Sequence, residues 1–140
     1  MTGADVFTSA QRSAVMRAVK SANTAPERIV RALLCEAGYQ RRYRLHGAHL
    51  PGRPDLVFSA LRKAVFVHGC FWHGHDCARG ARAPKSNAAY WRAKITRNKQ
   101  RDRRVLRALR AAGWRALVVW ECQTRQRDNL RRRLTKFLAD

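Results

Sequence analysis

The segment from Cys70 to Cys77 (CFWHGHDC) places two thiols, two imidazoles and two large aromatic rings within eight residues. A proline–aspartate pair, Pro54-Asp55, and a further histidine, His68, come shortly before it. Thiolate and imidazole ligands at this density suit zinc, whereas a separate carboxylate suits a hard ion such as Mg²⁺. Large aromatic rings beside a hard-metal site, in a very basic chain, indicate cleavage of DNA.

The charge of the chain favours a polyanionic partner. Lysine and arginine number 30 against 9 acidic residues, which gives a formal net charge of +21. Nucleic acid is the natural partner for such an excess, although solvated helix faces or an RNA-binding role would produce the same count. No apolar run approaches the roughly 20 residues of a membrane span, and the first residues lack the pattern of a signal peptide. We expect no membrane partner.

The cysteines indicate a reducing compartment. Four cysteines without export features favour metal binding over disulfides, so we expect a cytoplasmic protein.

The length of 140 residues predicts one domain. Thr24-Ala25-Pro26-Glu27 predicts a capping box that opens a helix, and Gly38 can close that helix. A loop is predicted at 50–54, because two prolines and a glycine exclude regular structure there. Periodicity predicts further helices at 9–20, 87–112 and 127–138 and strands at 39–45, 55–58, 63–67 and 114–120. This order predicts an α/β fold, with helices on both faces of a small mixed sheet.

The zinc ligands are a local cluster with more than one possible membership. Cys70 and Cys77 would be joined by His73, His75 or both, and Cys122 is available at the end of the last predicted strand. Four ligands would make a closed structural site, and a histidine left over would be available for chemistry. The alternative is a set of reduced surface thiols with incidental histidines.

Asp55 and His68 are the candidates for chemistry on a phosphodiester. Asp55 opens one predicted strand and His68 ends the next, so adjacent-strand geometry can bring them together. The carboxylate would hold Mg²⁺ against the phosphate, and the imidazole would take a proton from the attacking water. Taken singly, Asp55 could instead be a turn residue, and His68 a hydrogen-bonded strand end.

Three aromatic residues, Phe71, Trp72 and Trp91, could enter a DNA duplex. Large apolar side chains on a polar loop are costly to expose, and inserted between base steps they would unstack and kink the duplex. Core packing is the alternative, and we favour it for Trp114 and Trp120. The basic residues of the predicted helix at 87–112 would contact phosphates, among them Lys94 and Arg101.

Assembled, these residues resemble the very short patch repair (Vsr) DNA mismatch endonucleases. The resemblance rests mainly on LPGRPD at 50–55 and on VFVHGCFWH at 65–73, and extends from Gln11 to the last helix. It implies a restriction-endonuclease-like fold, with a DNA-contacting segment at 1–22 and a nuclease domain at 23–140 within a single domain. It also implies a Mg²⁺-dependent nick on the 5′ side of the thymine in T:G mismatches left by deamination of 5-methylcytosine.

The resemblance also implies a role for individual residues. Asp55 and the backbone carbonyl of Val67 would hold magnesium, His68 would be the general base, and His73 a phosphate or catalytic partner. The structural zinc would take Cys70, His75, Cys77 and Cys122. Phe71, Trp72 and Trp91 match the intercalating aromatics, Met16 matches a residue that enters the minor groove, and Glu27 matches an acidic position near the active site. The implied partners are double-stranded DNA with a T:G mismatch, mismatch-repair proteins and a repair polymerase, with the enzyme itself a monomer. The resemblance also implies a bacterial cytoplasmic enzyme that is associated with the nucleoid during repair.

Two departures and two alternatives qualify this interpretation. Val67 stands where some relatives have threonine, which removes a hydroxyl but leaves a carbonyl ligand. The E-x-K motif of the wider nuclease fold is absent, and Phe66-Val67-His68 stands in its place. A zinc-dependent nucleic-acid-binding module without catalysis would share the charge and the aromatics. A sequence-specific restriction nuclease would share the fold but cut perfectly paired DNA.

Overall fold

The computed structural model describes residues 24–77 and 86–140, and within them three α-helices and four strands follow one another along the chain. The elements are α1 (Ala25–Glu36), β1 (Arg44–Leu45), β2 (Leu56–Phe58), β3 (Lys63–His68), α2 (Ala88–Ala111), β4 (Arg115–Trp120) and α3 (Arg127–Ala139). Short 3₁₀ turns follow β2 and β4. The predicted helix at 9–20 and the segment at 1–22 lie outside the described residues, as does the end of the cysteine-rich loop at 78–85.

The four strands form one mixed sheet in the order β1-β2-β3-β4. The pairs β1–β2 and β2–β3 are antiparallel, whereas β3 and β4 are parallel and are connected through α2. A parallel pair requires such a crossover, because the chain must return to the same edge before the second strand can begin. The register places His68 opposite Trp120, so the histidine lies where both parallel strands end.

The two faces of the sheet are covered by different helices. Helices α1 and α3 pack on one face, where Leu34 and Leu134 join Val65 and Val119 in the buried core. Side chains alternate between faces along a strand. Phe66 therefore faces the other side, where it lines a cavity together with Val105 and Leu106 of α2. The predicted architecture of helices on both faces of a small mixed sheet is confirmed.

The predicted start and end of helix α1 are both present. The Thr24 side chain accepts a hydrogen bond from the Glu27 backbone N–H at 3.4 Å, as an N-cap does. Gly38 has a φ of +88°, and the adjacent Tyr39 N–H donates to the Leu34 carbonyl at 2.9 Å. A left-handed glycine just after the last turn is the usual helix stop. The paired strands β2 and β3, helices α2 and α3, and strand β4 are likewise confirmed to within one or two residues.

The first strand was predicted too long. Pairing is limited to Arg44–Leu45, whereas the prediction covered 39–45. The chain turns before the strand begins: Arg42 N–H donates to the Tyr39 carbonyl at 3.1 Å, and Arg41 has a φ of +66°. The alternating residue types at 39–43 therefore belong to a turn and its exit rather than to a strand.

A buried lysine connects the sheet to the last helix. Lys63 is 3% exposed, and its ammonium donates to the Phe137 carbonyl at 2.6 Å and to the Leu138 carbonyl at 3.3 Å. A cation at the C-terminal end of a helix satisfies carbonyls that have no partner within the helix. Among the helices at 24–77 and 86–140, none has the length and apolar character needed to cross a membrane.

Candidate active site

Asp55 is positioned by the loop before β2. Its carboxylate oxygen Oδ2 accepts a hydrogen bond from the Val67 backbone N–H at 2.7 Å, which ties it to strand β3. The preceding loop lies directly on α2: a Cβ on Gly52 would sit 2.4 Å from Val105 Cγ1, and Gly52 has a φ of +75°. Only glycine meets both requirements. The packing of the LPGRPD segment on α2 thus fixes the position of Asp55 relative to that helix.

The environment of Asp55 disfavours its charge. The pKa of the Asp55 carboxyl is raised from 3.8 to about 6, chiefly by burial and with a contribution from the nearby Glu27 carboxylate. The hydrogen bond from Val67, and to a lesser degree His46 and His73, act in the opposite direction and offset only part of this rise in pKa. A half-buried carboxylate held this way gains from a cation, because the ion offsets both the burial and the neighbouring negative charge.

His68 and His73 form a stacked pair. Their ring centroids are 3.8 Å apart and their planes are inclined by 4°. His73 Nδ1 donates to Asp102 Oδ2 at 2.7 Å, so in the neutral ring Nε2 is the nitrogen that can accept a proton. Asp102 comes from α2, 29 residues further along the chain. The arrangement is a carboxylate–imidazole pair whose ring is held in place by a second ring.

His68 is neutral in this position. Burial, and then the neighbouring His73, lower the pKa of His68 to about 3, because a second positive charge in a buried site is unfavourable. Its Nδ1 is buried without a hydrogen-bond partner among the described residues. His68 also contacts the edge of the Trp120 ring at a centroid distance of 5.3 Å.

These groups open into one cavity of about 510 Å³. Asp55, Val67, His68, His73 and Asp102 line it, so the sheet, the cysteine-rich loop and α2 contribute to the same space. The other lining residues are Thr24, Glu27, Gly52, Arg53, Phe66, Trp72, Lys94, Asn98, Arg101, Val105 and Leu106. The cavity therefore combines carboxylates with three basic side chains, a mixture that suits a metal ion and a phosphate together.

A separate cluster of three thiols and one imidazole lies beside this cavity. The ligand atoms of Cys70, His75, Cys77 and Cys122 all lie within 4.8 Å of one another. Cys122 Sγ and His75 Nδ1 are 3.6 Å apart. Tetrahedral zinc, with bonds of about 2.3 Å to sulfur and about 2.1 Å to nitrogen, places such a pair about 3.6 Å apart. The cluster could hold zinc, and it leaves His73 available to the cavity.

Burial raises the pKa of the Cys70 thiol to about 12, and side-chain contacts with Cys122 and Cys77 act in the same direction. Cys70 therefore favours its protonated state, and a bound cation is what would allow it to ionise.

The three aromatic candidates contact one another edge to face. Trp72 lies 5.1 Å from Phe71 and 5.4 Å from Trp91 between ring centroids. Trp91 is only 6% exposed, whereas Phe71 and Trp72 are half-buried. The side chain of Asn98 donates to the Trp72 carbonyl at 2.8 Å and holds the loop against α2. Phe71 and Trp72 are thus the accessible members, and Trp91 supports them from below.

Comparison with known proteins agrees with this site. A family model described as DNA mismatch endonuclease Vsr matches residues 4–79. The DNA mismatch endonuclease Vsr of Escherichia coli strain K12 is 43% identical over 127 residues, which are 91% of this chain and 80% of the relative. The chain belongs to the Vsr family of DNA mismatch endonucleases.

Other relatives of this Vsr-family chain have names that describe nicking. The type II nicking enzyme V.XorIIP of Xanthomonas oryzae pv. oryzae is 49% identical over 128 residues, 91% of this chain and 92% of the relative. The type II nicking enzyme V.NmeAIP of Neisseria meningitidis is 40% identical over 136 residues, 97% of this chain and 95% of the relative. The resemblance inferred from the sequence is confirmed. The mixed sheet flanked by three helices fits the restriction-endonuclease-like fold expected of it.

The structure brings together most of the predicted site residues and adds two. Asp55, His68 and His73 line one cavity with Glu27, which is 2% exposed and forms an ion pair with Arg31 at 3.1 Å. Met16 lies outside the described residues. Sequence reasoning missed Asp102, although it is the only acidic residue of the basic helix α2, and it missed His46, which lies close to Glu27 and Asp55.

Proposed function

We propose that this Vsr-family endonuclease nicks duplex DNA on the 5′ side of the thymine in T:G mismatches that arise when 5-methylcytosine deaminates. The reaction would depend on Mg²⁺ and cut one strand, and the enzyme would act as a monomer. Mismatch-repair proteins and a repair polymerase would handle the nicked product. Membership of the family supports the substrate class, and the names of the relatives support nicking.

The observation that carries the proposal is the single cavity in which Asp55 meets the His73–Asp102 pair. A binding module without catalysis has no need for a half-buried carboxylate, an oriented imidazole and basic side chains in one cavity. Phosphodiester hydrolysis needs each of them, because a metal ligand, a proton acceptor and contacts to the phosphate must act at one phosphorus atom.

Asp55 would hold Mg²⁺, and the Val67 carbonyl would be a second ligand. The bound ion would polarise the phosphodiester and stabilise charge on the attacking and leaving oxygens. The fit rests on the chemistry of the donors: an oxygen ligand is what Mg²⁺ prefers, and Asp55 is a half-buried carboxylate whose raised pKa shows that its charge is disfavoured without a cation. The other residues of the cavity bind the backbone of the DNA, exclude bulk water and move the proton.

We assign the general base to His73 rather than to His68, contrary to the prediction from the sequence. Asp102 orients the His73 ring and would stabilise the imidazolium that forms when Nε2 takes a proton from water. With a pKa of about 3, His68 would be too weak a base to do this near neutral pH. His68 would instead hold the His73 ring by stacking, and it presents a neutral imidazole to the phosphate.

Recognition would use the aromatic cluster and the basic face of α2. Phe71 and Trp72 would insert at the mismatch, where a poorly stacked pair is easier to open than a Watson–Crick pair. Trp91, which also matches an intercalating position, would need the cluster to open before it could reach the bases, because it is buried. Lys94 and Arg101 would hold the phosphates at the entrance of the cavity. Met16 would contact the minor groove.

The zinc of the family would be structural and would take Cys70, His75, Cys77 and Cys122. Their 3.6 Å sulfur–nitrogen separation and their shared position support this assignment. A closed set of four protein ligands leaves no position for water, so the metal would stabilise the loop rather than react.

A nicking assay tests the proposal directly. Duplexes labelled on each strand, with one T:G mismatch in varied flanking sequences, are incubated with zinc-loaded protein with and without added Mg²⁺. We expect a cut only in the thymine strand, only with Mg²⁺, and none in the matched T:A duplex. Asp55→Asn serves as the inactive control. Cleavage of paired DNA at a fixed sequence would identify a restriction nuclease instead, and binding without any cut would identify a binding module.

A further inference from the structure

His46 lies opposite Asp55, where His46 is one position beyond the end of β1 and Asp55 is one position before the start of β2. Strands β1 and β2 pair Arg44 with Val57 and Leu45 with Leu56, and the next pair in that register is His46 with Asp55. The backbone continues the ladder, because His46 N–H donates to the Asp55 carbonyl at 3.0 Å. Opposite residues in an antiparallel pair have their Cβ atoms about 4.5–5.5 Å apart. The metal-binding carboxylate therefore has an imidazole as its immediate neighbour.

The backbone holds His46 in an uncommon conformation. Its φ is +55°, in the left-handed region that costs a residue with a side chain about 1 kcal/mol or more. The next residue closes the loop: Gly47 N–H donates to the Pro54 carbonyl at 2.9 Å, and a Cβ on Gly47 would lie 2.4 Å from Val57 Cγ2. Backbone strain of this kind is concentrated at functional sites. The loop thus fixes the backbone of His46 beside Asp55.

The ligand atoms of Glu27, His46 and Asp55 form a compact triad. All three lie within 4.8 Å of one another. Metal–ligand bonds of about 2.1 Å place neighbouring ligand atoms about 3 Å apart and opposite ones about 4.2 Å apart. His46 Nε2 and Glu27 Oε1, which are 3.8 Å apart, would need to approach by about 0.8 Å to become neighbouring ligands of one ion. Arg31 approaches the same Glu27 oxygen as His46 does, at 3.1 Å, and neutralises part of its charge.

An ion pair between His46 and Glu27 does not account for this arrangement. The two side chains are 3.8 Å apart, and His46 is 41% exposed. At this separation the pair contributes little to stability, less than would offset a strained backbone. A ligand role accounts for both the strain and the neighbourhood of two carboxylates.

We propose that His46 is a nitrogen ligand of the divalent ion held by Asp55, with Glu27 as a second carboxylate, so that this site prefers Mn²⁺ to Mg²⁺. The proposal rests on the metal-dependent nicking proposed above. Mg²⁺ favours oxygen ligands and releases its water reluctantly, whereas imidazole suits first-row transition ions. A site of two carboxylates and one imidazole would therefore select for an ion of the manganese class and would still accept Mg²⁺.

The test measures Mn²⁺ binding to the zinc-loaded, full-length protein without DNA, by electron paramagnetic resonance. A titration gives the Mn²⁺ affinity, competition with Mg²⁺ gives the Mg²⁺ affinity, and pulsed spectra detect a coordinated imidazole nitrogen. His46→Asn is the test variant, since asparagine tolerates a positive φ. His49→Asn, an exposed histidine on the same loop, is the matched control. Asp55→Asn should remove the site.

In the wild type we expect tighter binding of Mn²⁺ than of Mg²⁺ and a nitrogen signal. His46→Asn should weaken Mn²⁺ binding by about tenfold or more, remove the nitrogen signal and change Mg²⁺ binding much less. His49→Asn should behave as the wild type. Unchanged Mn²⁺ affinity, or a nitrogen signal that persists in His46→Asn, would overturn the inference. If the wild type shows no Mg²⁺-dependent nicking, the proposed function is overturned instead, whatever the Mn²⁺ spectra show.

Discussion

Replacing Asp55 by asparagine should abolish nicking and yet stabilise the magnesium-free protein. Asparagine keeps the size of the side chain and an oxygen that can accept the bond from Val67, but it carries no charge. The folded state raises the Asp55 pKa from 3.8 to about 6, chiefly through burial. The fold therefore favours the protonated carboxyl, and the wild type loses stability as pH rises from about 4 through about 6.

The magnitude follows from the size of that pKa change. About two pKa units at 1.36 kcal/mol per unit amount to roughly 3 kcal/mol of destabilisation at pH 8, which Asp55→Asn should recover. For a chain of this length that corresponds to a rise in Tm of roughly 10 °C. At pH 5.5 the charge is only partly present in the folded state, so the advantage of the variant should be about 1 kcal/mol smaller.

The assay is thermal unfolding of zinc-loaded protein in magnesium-free buffer at pH 5.5, 7 and 8. Chelators are avoided, because they would also remove zinc from the thiol cluster. Adding Mg²⁺ should then raise the Tm of the wild type and leave that of Asp55→Asn unchanged, since only the carboxylate binds the ion. If the variant is no more stable than the wild type at pH 8, or if Mg²⁺ stabilises both equally, Asp55 is not the disfavoured charge that awaits a cation.

Asp102→Asn should lower the rate of single-turnover nicking by about 10²- to 10⁴-fold and leave the affinity for DNA unchanged. An unchanged rate would exclude His73, paired with Asp102, as the general base. Cys77→Ser should lower both zinc content, by mass spectrometry, and Tm, whereas Cys35→Ser should lower neither; a fully loaded, equally stable Cys77→Ser would refute a structural zinc site. Lys63→Met should cost about 1.5–3 kcal/mol in urea unfolding, because helix-end carbonyls lose their charged donor, and the exposed Lys136→Met should cost almost nothing; equal effects would refute the buried contact.

The sequence was sufficient wherever the signal is local. Thr24 and Gly38 identify the start and end of α1, because capping and helix stops depend on one or two side chains. Asp55 and His68 could be placed together because two short strands with a tight turn must be antiparallel neighbours. The four proposed zinc ligands came from the family resemblance, since spacing alone left the choice between His73 and His75 open.

The sequence was insufficient where the role of a residue depends on the orientation of a helix or on a backbone conformation. Asp102 lies among arginines and lysines in α2, and in sequence it reads as one member of a solvated ion pair. Its role depends on the rotation of the helix above the sheet, which brings it to His73. His46 depends on a positive φ and on the ladder register, and neither is visible in residue types. The strand predicted at 39–45 also included the turn that comes before Arg44, because residue types alone did not indicate that turn.

The zinc cluster and the catalytic cavity are linked by one row of rings. His75 of the cluster stacks on Trp120 at 4.1 Å, and Trp120 contacts His68 at 5.3 Å. His68 in turn stacks on His73 at 3.8 Å. His68 Nδ1 has no hydrogen-bond partner among the described residues, so the orientation of its ring depends on the rings that it contacts. Fixing His75 by a metal would therefore help to hold His68 against His73, whose ring Asp102 also orients, although no zinc ligand lines the cavity. On this reasoning zinc supports catalysis through packing alone, so loss of the metal should slow nicking even where the protein remains folded and binds DNA.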